Sequence, residues 1–225
     1  MTARLGPFAL VALLALTACD TGSGPAPPMG SRLRLLETIP GAAFRLSLDG
    51  RVVNANFHFG TLTPAIVVLP GQHTLSGQSL SDTSSFDWVL AAADSVNYIV
   101  FVTDTTGSSG AVIASGVASD SGPGPAAGQA ALRVADFSKV AGIEAHFSEA
   151  GGAGSVPVSS FFFRAVSDFT DVPPGDWSLV VSHTGGTDTV LLAGPVFVVA
   201  GQARTVAVLD SAGGPLTWRL VPDRN

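Results

Sequence analysis

The chain has 225 residues and a formal net charge of −6, with 46% hydrophobic and only 12% charged residues. Such a chain can bury real cores, so its composition excludes a disordered polymer, and its length suits one large or two ordinary domains. No basic stripe is present, which excludes nucleic acid as a partner. Glycine and proline are frequent (26 and 15), and lysine occurs once, at Lys139. This composition indicates an all-β protein that is rich in turns.

The first 18 residues resemble a lipoprotein signal peptide. Arg4 supplies a short positive region, and residues 8–16 form an apolar run too short to span a bilayer. Leu16-Thr17-Ala18-Cys19 then resembles a bacterial lipobox. This predicts that Cys19, the only cysteine, becomes an acylated N-terminus that anchors the chain stably in a bilayer. The alternative is an ordinary secretory signal cleaved near a cysteine. A lone cysteine also excludes an internal disulfide framework.

Residues 19–30 comprise Cys19 and a stretch dense in glycine, serine and proline, which predicts a flexible tether. The first predicted domain follows over residues 31–118. Its clearest strand begins at Phe44, alternates apolar and polar residues, and ends in the hairpin signal Asp49-Gly50. Further strands are predicted at residues 32–35, 51–53, 57–59, 65–69, 72–77, 86–90, 98–102 and 111–117. The 98–102 run is apolar on both faces, as expected of a central strand.

A low-complexity stretch at residues 119–129 is predicted to be a linker, and the second predicted domain covers residues 130–225. The second domain repeats the first: Leu132-Arg133-Val134 echoes Leu33-Arg34-Leu35, and both domains contain a Pro-Gly turn, at Pro70 and Pro174. Its predicted strands are residues 132–134, 143–147, 159–163, 177–181, 196–199, 204–209 and 216–221. Short strands separated by turns predict two tandem Ig-like antiparallel β-sandwich domains.

These repeated elements resemble the domain of unknown function 4397 family of bacterial secreted and lipoprotein β-sandwich domains. The resemblance rests on the opening strand at Leu33, the strand ending at Asp49-Gly50, the two Pro-Gly turns, and the Ala-Gly-Gln-Ala-Arg-Thr-Val run that begins at Ala200. It spans about residues 31–222. Two departures concern the family's Asn-Ala-Ser-Pro element and a usual tyrosine, which is Thr205 here. The family implies a β-sandwich fold and no catalytic residues.

The titratable residues show no complete catalytic or metal-binding pattern. No His-Glu-x-x-His motif and no two histidines at helical spacing occur, so no metal site is predicted. Gly107-Ser108-Ser109-Gly110 has the wrong spacing for a nucleophile elbow. The loop aspartates form no Asp-x-Asp-x-Asp calcium run, and we interpret them as turn-forming residues. The histidines and aspartates considered are His58, His73, His146, His183, Asp82, Asp87, Asp104, Asp168, Asp171, Asp176, Asp188 and Asp210.

Aromatic residues could form a stacking surface for a glycan, but Trp88, Trp177 and Trp218 are dispersed at strand-like positions, which favours core packing. Phe162 is the exception. If residues 159–163 form a strand with Phe161 and Phe163 inward, alternation turns Phe162 outward, which makes it a candidate exposed binding surface.

The sequence therefore predicts a lipoprotein anchored to a bacterial membrane, on its periplasmic or cell-surface side, that acts as a non-enzymatic binding or envelope-structural module. Its predicted partners are the lipid bilayer, through acylated Cys19, and an envelope protein or glycan; no catalytic residue and no cofactor is predicted. The alternative is a carbohydrate-active enzyme or another hydrolase whose site is assembled only by the fold.

Overall fold

The computed structural model describes residues 30–104, 112–119, 124–152, 154–158, 161–211 and 213–224, and only the backbone of residues 112–119 and 224. The described residues contain sixteen β-strands and no helix. The strands are β1 Ser31–Glu37, β2 Ala43–Leu48, β3 Arg51–His58, β4 Ile66–Val68, β5 Gly71–Ser79, β6 Ser85–Ala92, β7 Asn97–Asp104, β8 Val112–Ser119, β9 Ala130–Phe137, β10 Ile143–Glu149, β11 Ser155–Pro157, β12 Thr170–Val172, β13 Gly175–His183, β14 Thr189–Val198, β15 Ala203–Ser211 and β16 Gly214–Arg224.

The strands form four four-stranded sheets, which pack in pairs as two sandwiches. In the first sandwich the sheet orders are β3-β2-β5-β6 and β4-β1-β7-β8, and the second sandwich repeats them as β11-β10-β13-β14 and β12-β9-β15-β16. All pairings are antiparallel except β1 with β7 and β9 with β15. The prediction of two tandem antiparallel β-sandwiches is confirmed.

Local turn chemistry explains how the strands are connected. Asp49 and Gly50 both have positive φ, at 50° and 77°, which is the conformation that a two-residue hairpin needs to match strand twist. Leu48 accordingly pairs with Arg51 across this turn. At the two Pro-Gly turns, Gly71 and Gly175 also have positive φ and each begins the strand that follows.

Each sandwich closes over its own core, because alternate residues of its two sheets point inward. The first core is centred on Phe44, Leu46, Phe57, Leu75 and Val100. The second core is centred on Phe147, Trp177, Leu179, Val181 and Val206.

A third apolar layer joins the two sandwiches. It forms between the sheets that contain β7 and β15, where Phe101 lies against Phe137 with ring centroids 4.5 Å apart. Its buried members are Leu36, Ile99, Phe101, Ala135, Phe137, Ala207, Leu209 and Val221. This layer explains the run predicted at residues 98–102: Tyr98, Val100 and Val102 face the first core, whereas Ile99 and Phe101 face the second sandwich.

The two sandwiches lie side by side with their first strands pointing the same way. The guanidinium of Arg34, the middle residue of β1, donates to the carbonyl of Pro222, which pairs with Arg204 near the start of β15. Just beyond the end of β9, the Lys139 ammonium lies 2.6 Å from Asp104, at the end of β7. The chain enters at Gly30 at one end, which we call the entry end. The end where β1, β7, β9 and β15 finish is the loop end. The seven residues of β1 alone separate the two ends by about 23 Å.

Two predicted elements differ from the structure. Residues 161–163 do not form a strand; they belong to a bend and turn that lead towards β12, so the predicted alternation does not apply to them. Strand β8 continues to Ser119, one residue into the predicted linker. The signal peptide, Cys19, the tether up to residue 29, the 107–110 motif, and Ser159 and Ser160 lie outside the described residues.

Candidate functional site

A hollow of about 310 Å³ opens at the loop end of the second sandwich, and two segments form its walls. The first wall is residues 138–143, which comprise the connection after β9 and the first residue of β10. It contributes the half-exposed side chain of Val140 and the backbone of Gly142, whose φ of 68° lets the segment turn into β10. The Gly142 carbonyl accepts a 2.7 Å hydrogen bond from the Thr184 amide, which holds the base of this wall.

The second wall is residues 161–163. Phe161 packs partly against the core of the second sandwich, so it holds this wall in place. Phe162 is 64% exposed and lines the hollow. The exposure of Phe162 therefore agrees with the prediction, but its cause is different: a turn closed by the 2.9 Å bond from the Ala165 amide to the Phe162 carbonyl projects the ring.

Asp136, near the end of β9, connects the two walls. Its Oδ1 accepts hydrogen bonds of 2.8 Å from both the amide and the hydroxyl of Ser138, in the first wall. Its backbone carbonyl accepts from the Arg164 amide at 2.6 Å, and its amide donates to the Ala165 carbonyl at 2.9 Å, next to the second wall. Asp136 is only 2% exposed, and its Oδ2 has no hydrogen-bond partner. Burial raises the pKa of this carboxyl to about 6.

Lys139, the only lysine of the chain, lies at the rim of the hollow. Its ammonium lies 2.6 Å from Asp104 of the first sandwich and 6.0 Å from the centre of the Phe163 ring. Its backbone amide donates to both carboxylate oxygens of Asp210, at 3.1 and 3.2 Å. Burial raises the pKa of the Asp210 carboxyl, while the bond from Lys139 opposes the shift. The rim thus joins both sandwiches through one cation.

Glu37 occupies the place in the first sandwich that Asp136 occupies in the second, 99 residues earlier. Its Oε1 accepts a 2.9 Å bond from the amide of Ile39, two residues on, just as Asp136 accepts from Ser138. Glu37 is fully buried, and its Oε2 has no hydrogen-bond partner. Burial raises the pKa of Glu37 to about 9, so this carboxyl is protonated at neutral pH.

A second hollow, of about 360 Å³, lies on the outer sheet of the first sandwich. Its lining is mostly polar and follows two cross-strand rows, Ser47–Ser76–Asp87 and Arg45–Gln78–Ser85. Polar side chains in such rows are typical of the solvated face of an antiparallel sheet. The hollow at the loop end differs because apolar and aromatic side chains dominate its walls.

The structure does not bring the predicted titratable residues together into one site. His58 and His73 lie in the first sandwich, and His146 and His183 lie in the second. Among the described residues, no three histidine, cysteine, aspartate or glutamate side chains are arranged to hold a metal ion. His73 instead bridges Asp49 and the Leu69 carbonyl, at 2.7 Å each.

The other candidates hold turns and cores. Asp82 accepts from the Ser84 amide at 2.8 Å, as turn-forming residues do. Asp171 instead lies in β12 and accepts from the distant Ala126 amide at 3.2 Å, so it is not a turn-forming residue. Trp177 is buried and donates to the Pro173 carbonyl at 3.0 Å. Trp88 and Trp218 pack partly against the two cores. No aromatic platform forms from these three rings.

Asp136, Lys139 and Val140 were not predicted from the sequence as parts of a site. Two signals could have found them: Lys139 is the only lysine, and an acid lies near the end of the first strand of each repeat, as Glu37 and Asp136.

Comparison with known proteins adds little to this description. No family model matches the chain, so the resemblance stated above stays a prediction, and no curated protein matches it. One solved structure that matches is a protein provisionally named as a cell adhesion protein, from Bacteroides fragilis. The two are 9% identical, with 86% of this chain and 97% of that chain covered, at a TM-score of 0.27. A likeness of this size identifies neither the fold nor the function of this chain. Within the described part of the chain, no helix is long and apolar enough to span a membrane.

Proposed function

We propose that the chain is an extracytoplasmic lipoprotein that acts as a non-enzymatic binding module. In this proposal acylated Cys19 anchors it to a bacterial membrane, and the hollow beside Phe162 is its docking surface. One observation carries the proposal: the chain enters the paired sandwiches at Gly30, at the entry end, whereas the hollow opens at the loop end. An anchor placed before Gly30 leaves the hollow on the side that faces away from the membrane.

The docking of the two sandwiches supports this display role. The buried layer around Phe101 and Phe137, together with the bond between Lys139 and Asp104, couples β7 of the first sandwich to β9 and β15 of the second. Because the two sandwiches are coupled, the loop end keeps a fixed orientation relative to the anchored end. Two sandwiches joined only by a free linker would not keep that orientation. A tether of about ten residues then sets only the height and the tilt of the body.

The chemistry of the hollow favours a protein partner over a glycan. Val140 and the phenylalanines supply apolar walls, and the ammonium of Lys139 is already paired with Asp104. A glycan needs unpaired hydrogen-bonding groups for its hydroxyls, whereas an apolar side chain of a protein needs a dry pocket next to an exposed ring. Phe162 supplies that ring.

The proposal is tested in two steps in the native cell envelope. In the first, the full chain is expressed with an alkyne-labelled palmitate; labelled protein in the membrane fraction is expected, and Cys19→Ser should give an unlabelled precursor. Normal labelling and membrane fractionation of Cys19→Ser would contradict the anchor.

In the second step a photoreactive phenylalanine analogue replaces Phe162 and, as a matched control, Leu192 on the outer sheet of the second sandwich. Both side chains are 64% exposed, so they are equally available to random collisions. A discrete crosslinked protein at position 162 and none at position 192 is the expected result. Identical crosslinks at both positions, or none at either, would contradict a docking surface at Phe162.

A further inference from the structure

Both walls of the hollow are held by one buried acid. The side chain of Asp136 accepts from Ser138 in the first wall, and its backbone pairs with the segment that carries Phe162. Any change that makes burial of this carboxyl less favourable therefore acts directly on the shape of the hollow.

We propose that Asp136 is a proton-operated positioning residue: with a proton on its carboxyl the first wall stays closed against the second, and loss of that proton loosens the first wall. This proposal rests on the proposed function only in treating the hollow as a docking surface. The opening itself is a property of the fold.

The physical reason is the state of the carboxyl in the closed hollow. Asp136 is 2% exposed and its Oδ2 has no partner, so an ionised carboxylate gains hydration when residues 138–143 move away, whereas a neutral carboxyl gains little. The pKa of about 6 in the closed form returns towards 3.8 once the carboxyl is hydrated. Proton linkage then raises the ratio of open to closed hollow by about tenfold between pH 5 and pH 7.5.

Some charged groups around Asp136 oppose its ionisation, and others favour it. Asp210, on β15, carries a like charge that disfavours ionisation of Asp136 in the closed hollow, and Asp104 on β7 lies near Asp210. Lys139, just after β9, offsets the negative charges of Asp210 and Asp104 because it bonds both residues. Arg164 follows the second wall with an exposed side chain. Because Lys139 belongs to the first wall, opening draws its ammonium away from Asp104 and its amide away from Asp210.

The experiment is amide hydrogen exchange on the full mature chain, followed by NMR at Ser138 and Lys139 from pH 5 to pH 7.5 and corrected for intrinsic exchange rates. The wild-type opening ratio should rise about tenfold over this range. In Asp136→Asn it should become flat, because asparagine can still accept from Ser138 but cannot ionise. Asp82→Asn is the matched control: Asp82 accepts the same 2.8 Å bond from an amide two residues on, but it is exposed, so this substitution should leave the rise at Ser138 intact.

A wild-type ratio that is flat or that falls with pH would overturn the proposal, as would a full rise in Asp136→Asn. If Asp136→Asn does not fold, Asp210→Asn supplies the test. This substitution removes the like charge near Asp136 but leaves the Asp136 carboxyl in place. The opening ratio should therefore still rise with pH, with the midpoint of the rise at a lower pH; an unchanged midpoint would count against the proposal. None of these results depends on the anchor or on a partner, so they are separable from failure of the proposed function.

Discussion

Replacing Glu37 with glutamine should stabilise the protein at neutral pH. Glu37 is fully buried and its Oε2 has no partner, so the folded state holds the carboxyl protonated, with a pKa of about 9 against 4.5 for a solvated glutamate. Glutamine keeps the oxygen that accepts from Ile39 and carries no ionisable proton. The substitution therefore removes the pH-dependent penalty while it preserves the local bond.

The size and sign of the effect follow from proton linkage. Because the folded pKa is raised, the stability from the protonated carboxyl is complete below pH 4.5 and is lost as pH rises towards 9. Each pH unit between these limits lowers the free energy of unfolding by about 1.4 kcal/mol. From 4.5 to 7 this loss is about 3 kcal/mol, which Glu37→Gln should recover.

Urea unfolding followed by far-ultraviolet circular dichroism at pH 5, 7 and 8 measures this effect. The wild-type free energy of unfolding should fall from pH 5 to pH 8, and Glu37→Gln should flatten most of that fall; the part that remains belongs to Asp136 and Asp210, whose pKa values burial also raises. Glu144→Gln, an exposed glutamate on β10, is the control and should shift the curve by less than about 0.5 kcal/mol. A wild-type stability that rises from pH 5 to pH 8, or equal shifts in both variants, would refute the reasoning.

Three further predictions concern single contacts. Asp223→Ala should destabilise the second sandwich by about 3 kcal/mol in urea unfolding, because it removes the carboxylate that lies 2.5 Å from the buried Arg133 guanidinium; a loss below about 1 kcal/mol would contradict this. Gly77→Ala should cost about 2 kcal/mol, since the added Cβ would lie 2.1 Å from the Phe86 ring; an unchanged melting temperature would show that the ring moves freely. NMR titration should find the pKa of His73 above its ordinary value because it bonds Asp49, and Asp49→Asn should lower it; no change in Asp49→Asn would exclude that bond as the cause.

Much of the fold could be predicted because it depends on local sequence patterns. Alternation over Phe44–Leu48 and the Asp49-Gly50 signal depend only on residues that are neighbours in sequence, and the strand and hairpin are found where they were predicted. The two Pro-Gly turns likewise mark equivalent places in the two repeats. Such features need no knowledge of what packs against them.

The apolar layer between the sandwiches was missed because local sequence patterns do not show which element packs against a buried strand face. The run at residues 98–102 is apolar on both faces, and this pattern was interpreted as a central strand of one sandwich. In a two-layer sandwich, however, every strand has one solvent face. An apolar second face therefore indicates a further layer, and here that layer includes Phe137 and Leu209.

The candidate site was predicted only in part, for a similar reason. Phe162 was singled out from an alternation that residues 161–163 do not have, and its exposure comes instead from a turn. Asp136 and Lys139 complete the site through contacts that are distant in the chain: Asp136 with Arg164, 28 residues away, and Lys139 with Asp104 and Asp210, 35 and 71 residues away. Asp104 also belongs to the other sandwich. No spacing rule within one strand predicts such contacts.

Display of the loop end away from the membrane is tested most directly by a distance measurement. The acylated chain is bound to vesicles of phosphatidylethanolamine and phosphatidylglycerol that carry an acceptor dye, and a donor dye is placed on a cysteine introduced at Phe162 or at Leu69. Leu69 is an exposed residue at the entry end. In the proposed lipoprotein Cys19 carries the acyl group, so it does not react with the dye. Energy transfer should be strong from position 69 and weak from position 162, since at least about 23 Å separates the two ends. Equal transfer from both positions, or stronger transfer from position 162, would contradict the proposed display.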